Sequence, residues 1–170
     1  RKYHKKIRVA SEYLLSLIND VLDMSKLDSG EMYFAEESVY LREMLENCRD
    51  IMETRAAEHG IELETPGLEN FNLPRVLTSE LHIRQIAMNI ISNAVKYNHA
   101  GGEVRLGCRE KPSADPETAQ IEFTCADTGI GMSEEFQKHV FEPFAQERNF
   151  ARSEYGGTGL GMPIAKSLAE

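Results

Sequence analysis

Ile121-Glu122-Phe123-Thr124-Cys125-Ala126 runs directly into Asp127-Thr128-Gly129-Ile130-Gly131-Met132. Ile121, Phe123 and Cys125 alternate with smaller or polar residues, the period of a strand with one buried face. The strand delivers a carboxylate at its end and then two closely spaced glycines. A carboxylate there can accept a hydrogen bond from the amino group of a base, and glycine lets backbone approach a flat ligand. A plain turn after a strand uses the same residues, so the surroundings must decide.

Upstream, Val104, Leu106 and Cys108 alternate as a second strand, joined to the first by the polar loop Lys111–Ala119 with its two prolines. Before them a helix is predicted from about Glu80, with Ser79 as N-cap, to about Tyr97. One stripe of this helix is polar: Gln85, Asn89, Asn93 and Lys96 fall at i, i+4, i+8 and i+11. A solvated face would produce such a stripe, but Glu and Lys would serve solubility better than amides. An Asn oxygen is a neutral, hard ligand of the kind Mg²⁺ accepts beside phosphates, and Lys96 can neutralise phosphate charge.

Further upstream, Leu41, Leu45, Cys48, Met52 and Ala56 recur at helical spacing up to Gly60, and Ile61, Leu63 and Thr65 alternate before Pro66-Gly67. Downstream, a short helix is predicted over Glu134–Val140. It leads into Phe141-Glu142-Pro143-Phe144, readable as two core aromatics or as a hinge. Ala145–Gly157 lacks periodicity. Gly156-Gly157-Thr158-Gly159-Leu160-Gly161 then opens a last helix, with Pro163 expected in its first turn. Backbone N–H groups at a glycine-rich helix start form an anion site. The run is not a P-loop, because no Gly-Lys-Ser/Thr follows. It is not the dinucleotide fingerprint either, because Met162 occupies the place of the third glycine.

The N-terminal stretch is different in kind. Ile7, Ala10, Leu14, Leu17, Val21 and Met24 make a heptad seam without Pro or Gly, and Leu15, Ile18 and Leu22 widen it. This predicts one long helix to about Leu27, stopped near Gly30, with a face broad enough for a helix bundle. Charge divides the chain the same way. Residues 1–34 carry six basic and five acidic side chains, while residues 35–170 carry 13 basic and 23 acidic. With a net charge of −9 over 170 residues, a phosphate-backbone binder is excluded as a working idea. No apolar run reaches the ~20 residues of a membrane span. Cys48, Cys108 and Cys125 are too far apart for a CxxC motif and fit reduced thiols in a cytosolic setting.

In this order and spacing, the four constellations resemble the N, G1, F and G2 boxes of bacterial sensor histidine kinases. The N box is Asn89-Ile90-Ile91-Ser92-Asn93-Ala94-Val95-Lys96-Tyr97, and the others are the Asp127–Met132, Phe141–Phe144 and Gly156–Gly161 runs. Tyr13–Gly30 is similar to the second helix of the family's dimerisation and phosphoacceptor domain. The resemblance implies an α/β fold, the two-layer α+β sandwich of the GHKL or Bergerat type, preceded by a bundle or coiled-coil helix. It implies residues 1–34 as part of the dimerisation domain and 35–170 as a catalytic ATP-binding domain lacking its C-terminal strands.

By the same resemblance, Asp127 would bind the adenine amino group as a buried carboxylate, and Gly129 and Gly131 would shape the pocket. Asn93 would coordinate Mg²⁺ with Asn89 beside it, and Lys96 and Tyr97 would line the phosphate and ribose side. Gly157, Thr158, Gly159, Leu160 and Gly161 would hold the phosphates of ATP. Arg148 or Arg152 would reach the γ-phosphate. The implied reaction passes the γ-phosphoryl group to a histidine, then to an aspartate of a response-regulator receiver domain, by positioning and charge neutralisation. The implied assembly is a cytoplasmic homodimer through the N-terminal helix, touching a membrane only through other parts of a parent protein.

Two departures stand beside this. His4, followed by Lys5-Lys6-Ile7-Arg8, has no acidic neighbour and no Pro, so it is not read as the phosphoacceptor. His59, His82, His99 and His139 read as surface or packing residues. The stretch is therefore expected to be cut at both ends, keeping the nucleotide site without phosphorylating itself. The alternatives are another ATPase of the same superfamily and a non-catalytic interaction module.

Overall fold

The computed structural model describes residues 2–68, 75–147 and 157–170. In chain order the elements are α1 (Lys2–Ser29), β1 (Glu37–Val39), α2 (Leu41–Glu58), β2 (Glu62–Glu64), β3 (Val76–Thr78), α3 (Glu80–Lys96), β4 (Glu103–Lys111), β5 (Gln120–Asp127), α4 (Glu134–Gln137) and α5 (Gly161–Ala169). They form two compact units, Phe34–Gly131 and Arg1–Tyr33 with Met132–Glu170.

The Phe34–Gly131 unit is a two-layer α/β arrangement. Its main sheet has the order β2-β4-β5, with β2 parallel and β5 antiparallel to β4. Val104, Leu106 and Cys108 are buried on one face, opposite Asp127, Cys125 and Phe123 in the β5 register. Leu41, Met44, Leu45, Cys48, Met52 and Ala56 of α2 and Ala87, Ile91, Ala94 and Val95 of α3 complete that core. The 3.6-residue period of the helices and the 2-residue period of the strands thus converge on one apolar layer. The other face of β4–β5 is polar. There Glu122 pairs with Arg109 and Lys111, and these cations hold its carboxyl below its ordinary value.

Two short strands are additions to the sequence reading. β1 pairs antiparallel with β3, Ser38 facing Leu77. Three residues cannot show a period, so this long-range pairing leaves no local signal. Ser79 holds the N-cap position of α3 without a side-chain cap, because its hydroxyl lies 2.7 Å from Nδ1 of buried His82. The Phe34 ring packs 4.5 Å from the same imidazole, so His82 is a packing residue.

In the other unit α1 is the long helix expected, and it packs along α5. Its apolar seam is unevenly covered. Leu17 and Met24 are half-buried, whereas Ile7, Leu14 and Leu22 are 64%, 56% and 52% exposed. The helix predicted over Glu134–Val140 is corrected to the four residues of α4. Ser133 Oγ caps it, and from Lys138 the chain turns tightly, with Lys138, His139 and Glu142 each donating to the carbonyl three residues back. Pro163 falls in the first turn of α5.

Candidate functional site

In the Phe34–Gly131 unit, Asn89, Asn93 and Lys96 lie half-buried on one stripe of α3, off the Ala87–Ile91–Ala94 core face. Tyr97 is the C-cap residue of α3. Lys96 Nζ donates to its hydroxyl at 3.0 Å and sits 4.6 Å from its ring centroid. The Tyr97 carbonyl, left over at the helix end, accepts the Ile130 N–H at 3.0 Å. The N-box helix and the G1 turn are therefore joined by a backbone hydrogen bond.

The closeness of that joint explains Gly129. A Cβ there would come inside 3 Å of the Tyr97 carbonyl oxygen and within 2.8 Å of Asp127 Oδ1. Asn98, only 5% exposed, braces the same corner. Its amide donates to the Glu103 carbonyl at 3.0 Å and its Oδ1 accepts the His99 N–H at 2.9 Å. Thr128 Oγ1 accepts the Glu103 N–H at 2.9 Å, and the Thr128 N–H donates to the Glu103 carbonyl. Sequence reading passed over Asn98. Its only signal was an amide just past the N box, before Gly101-Gly102.

The β4–β5 register puts Asp127 opposite buried Val104, on the core face of the sheet. As the last strand residue it lies at the rim, and it is exposed. The expected buried carboxylate is thus corrected. Asp127 Oδ1 accepts the Gly129 N–H at 2.8 Å, which fixes the carboxylate plane, and Oδ2 has no hydrogen bond among the described residues. Behind it, burial first and the Asp127 charge second raise the Cys125 thiol to about 12; burial alone raises Cys108 to about 11.

The Gly157–Gly161 segment belongs to the other unit and precedes α5. Gly159 has φ 73°, and its carbonyl accepts the Phe144 N–H at 3.0 Å. Phe144 itself holds φ 63°, a left-handed conformation rare for a bulky residue. A Cβ on Gly159 would lie 2.9 Å from the Phe144 backbone. The F and G2 boxes are thus one backbone assembly. The Leu160 N–H, at the N-cap of α5, donates to Thr158 Oγ1 at 3.2 Å, and Leu160 is buried. Arg148, Arg152 and Gly156 lie outside the described residues.

Among the described residues no group of three or more His, Cys, Asp or Glu side chains is placed to hold a metal ion. Also among the described residues, no helix is long and apolar enough to cross a membrane.

The Phe34–Gly131 unit thus carries a strand-end carboxylate and a glycine turn fastened to an amide-bearing helix, and the other unit carries a glycine-rich helix start. Comparison with known proteins gives the class. The model of the histidine kinase-, DNA gyrase B-, and HSP90-like ATPase family matches residues 78–170. The chain belongs to this family of ATP-binding domains. The peroxide stress-activated histidine kinase mak1 of Schizosaccharomyces pombe is 34% identical over 99% of the chain, and the sensor protein GacS of Pseudomonas syringae is 34% identical over 96%. The chain spans 10% and 18% of those two proteins. Full-length ShkA, solved in complex with AMPPNP, superposes with TM-score 0.80 at 31% identity, covering 99% of this chain and 33% of that one. The Acinetobacter baumannii histidine kinase AdeS, at 19% identity and TM-score 0.73 over 97% of this chain and 71% of its own, shares the fold.

Proposed function

We propose that the chain is the ATP-binding catalytic region of a sensor histidine kinase. In this reading residues 1–34 belong to the dimerisation helix and 35–170 to the catalytic domain. The γ-phosphoryl group of ATP goes to a histidine supplied by another part of the protein, then to an aspartate of a receiver domain. The observation that supports the reading is the joint between Tyr97 and the Asp127–Ile130 turn, which ties an oriented strand-end carboxylate to the C-terminal end of the amide-bearing helix α3.

Each residue then has a task. Asp127 accepts from the adenine amino group through Oδ2. Gly129 and Gly131 keep the turn thin enough for a base. Asn93 offers one oxygen to Mg²⁺, with Asn89 a turn before it, and Lys96 and Tyr97 serve the ribose and phosphate side. Gly157, Thr158, Gly159, Leu160 and Gly161 offer backbone N–H groups and the positive end of α5 to phosphate oxygens. Mg²⁺, when bound, neutralises charge on the phosphates. The exposed α1 seam supports a homodimer, and an ATP-dependent reaction fits a cytoplasmic domain. The test is calorimetric titration with Mg²⁺-ATP and Mg²⁺-GTP. ATP should bind at least about tenfold more tightly, because a carboxylate repels the guanine oxo group. Equal affinities would remove the base-recognition role of Asp127.

A further inference from the structure

The glycine-rich segment is held from outside by α1. Thr158 Oγ1 donates to Asp20 Oδ2 at 2.8 Å, across 138 residues of sequence. Two turns earlier on the same helix face, the Tyr13 hydroxyl donates to the Gly157 carbonyl at 3.4 Å, and Gln146 donates to that carbonyl as well. None of these contacts follows from the boxes themselves.

The Asp20 contact has a specific chemical consequence. The Thr158 hydroxyl accepts a hydrogen bond from the Leu160 N–H and donates one to Asp20 Oδ2, closing a chain from amide to hydroxyl to carboxylate. The Leu160 N–H is the first donor at the start of α5. While the chain is closed this amide points at Thr158 and is unavailable to an anion. The same chain brings a carboxylate oxygen to within about 6 Å of that amide, a range at which one charge perturbs another strongly. The carboxylate is itself partly withdrawn from water: burial, with a smaller push from the Asp23 charge, raises its pKa against the lowering effect of the Thr158 hydrogen bond. An incoming phosphate therefore meets an occupied amide and a poorly screened negative charge.

We infer that Asp20 is a positioning residue that opposes phosphate binding, holding Thr158 and the Leu160 amide closed so that nucleotide binds only as this chain opens. This rests on the reading of Gly157–Gly161 as the phosphate segment. It adds a residue outside the four boxes that sets nucleotide affinity. The balance is simple. The Thr158 O–H exchanges a carboxylate acceptor for a phosphate acceptor, and the Leu160 N–H exchanges a hydroxyl for a phosphate oxygen. Release of Asp20 and capture of the phosphates are one event, so nucleotide binding loosens the hold of α1 on the segment.

The test measures ATP and adenosine affinities for wild type, Asp20→Asn, Asp20→Ala and Asp20→Glu. Asparagine keeps the shape and one acceptor but removes the charge. It should tighten ATP binding about three- to tenfold, the scale of one partly screened charge. Alanine should do at least as much, glutamate should stay near wild type, and adenosine, lacking phosphates, should bind all four alike. A general structural effect would move adenosine and ATP together. If folded Asp20→Asn binds ATP no more tightly than wild type, while wild type prefers ATP to adenosine, Asp20 does not oppose the phosphates and the inference falls. If wild type binds adenosine as tightly as ATP, the phosphate reading of Gly157–Gly161 falls, and the inference with it.

Discussion

Replacing Gly129 by alanine places one methyl group in the joint on which the site depends. The new Cβ would sit inside 3 Å of the Tyr97 carbonyl oxygen and 3.0 Å from its carbon, and 2.8 Å from Asp127 Oδ1. Both neighbours are constrained: Tyr97 ends α3, and Asp127 ends β5. Something must move by several tenths of an ångström, which breaks the 3.0 Å bond from Ile130 N–H to Tyr97 carbonyl. Losing that bond costs about 1 kcal/mol, and overpacking a constrained site costs ~1–3 kcal/mol. The expected destabilisation is therefore about 2–4 kcal/mol, a large share of a typical domain stability of ~5–15 kcal/mol. In urea, at a slope of about 2 kcal/mol/M for a small protein, the midpoint should fall by about 1–2 M. Gly131→Ala is the control. It has φ 63° but nothing within 4 Å of the added Cβ among the described residues, so the expected cost there is the backbone one of ~1–2 kcal/mol. Far-UV circular dichroism in urea reads stability, and calorimetry in buffer reads ATP affinity. Gly129→Ala should lose ATP affinity as well, because Asp127 is displaced. A Gly129→Ala protein no less stable than Gly131→Ala would refute the joint.

Other outcomes follow from the same structure. Asn93→Ala should remove most of the Mg²⁺ enhancement of ATP binding while leaving metal-free ATP affinity within about twofold; an unchanged Mg²⁺ effect on calorimetry would count against Asn93 as ligand. Leu14→Glu with Leu17→Glu should convert a dimer to a monomer in sedimentation, since burying each leucine contributes ~1.5–3 kcal/mol. The Cys108 and Cys125 thiols, raised to about 11 and about 12, should react with iodoacetamide at pH 8 at least about a hundredfold more slowly in the folded than in the unfolded protein. Their raised values favour the protonated form, so that contribution to stability is complete below the unfolded thiol value near 8.5 and declines as pH rises toward 11.

What sequence could and could not show divides along physical lines. The alternations 104-106-108 and 121-123-125 and the periodic helices α2 and α3 were legible because each segment carries its own burial period. The N and G1 boxes were legible as separate motifs, but their joint through the Tyr97 carbonyl was not, because a backbone bond leaves no side-chain signature. Asn98 and Asp20 were missed for a related reason. Both are ordinary polar residues in sequence, and only their partners in the fold, the Glu103 carbonyl five residues on and Thr158 across 138 residues, give them a role. Asp127 was expected to be buried from the adenine-binding role that the resemblance implied. Its place at the strand end exposes it, and position along the rim is a property of the sheet rather than of local pattern.

Base recognition by Asp127 is tested most directly by calorimetric titration of wild type and Asp127→Ala with ATP. The carboxylate is already oriented by the Gly129 N–H, and in the proposed role its removal would delete one charge-assisted hydrogen bond to the adenine amino group. That loss should weaken binding by roughly 1.5–3 kcal/mol, about 10- to 150-fold. A folded Asp127→Ala protein that binds ATP as tightly as wild type would contradict it.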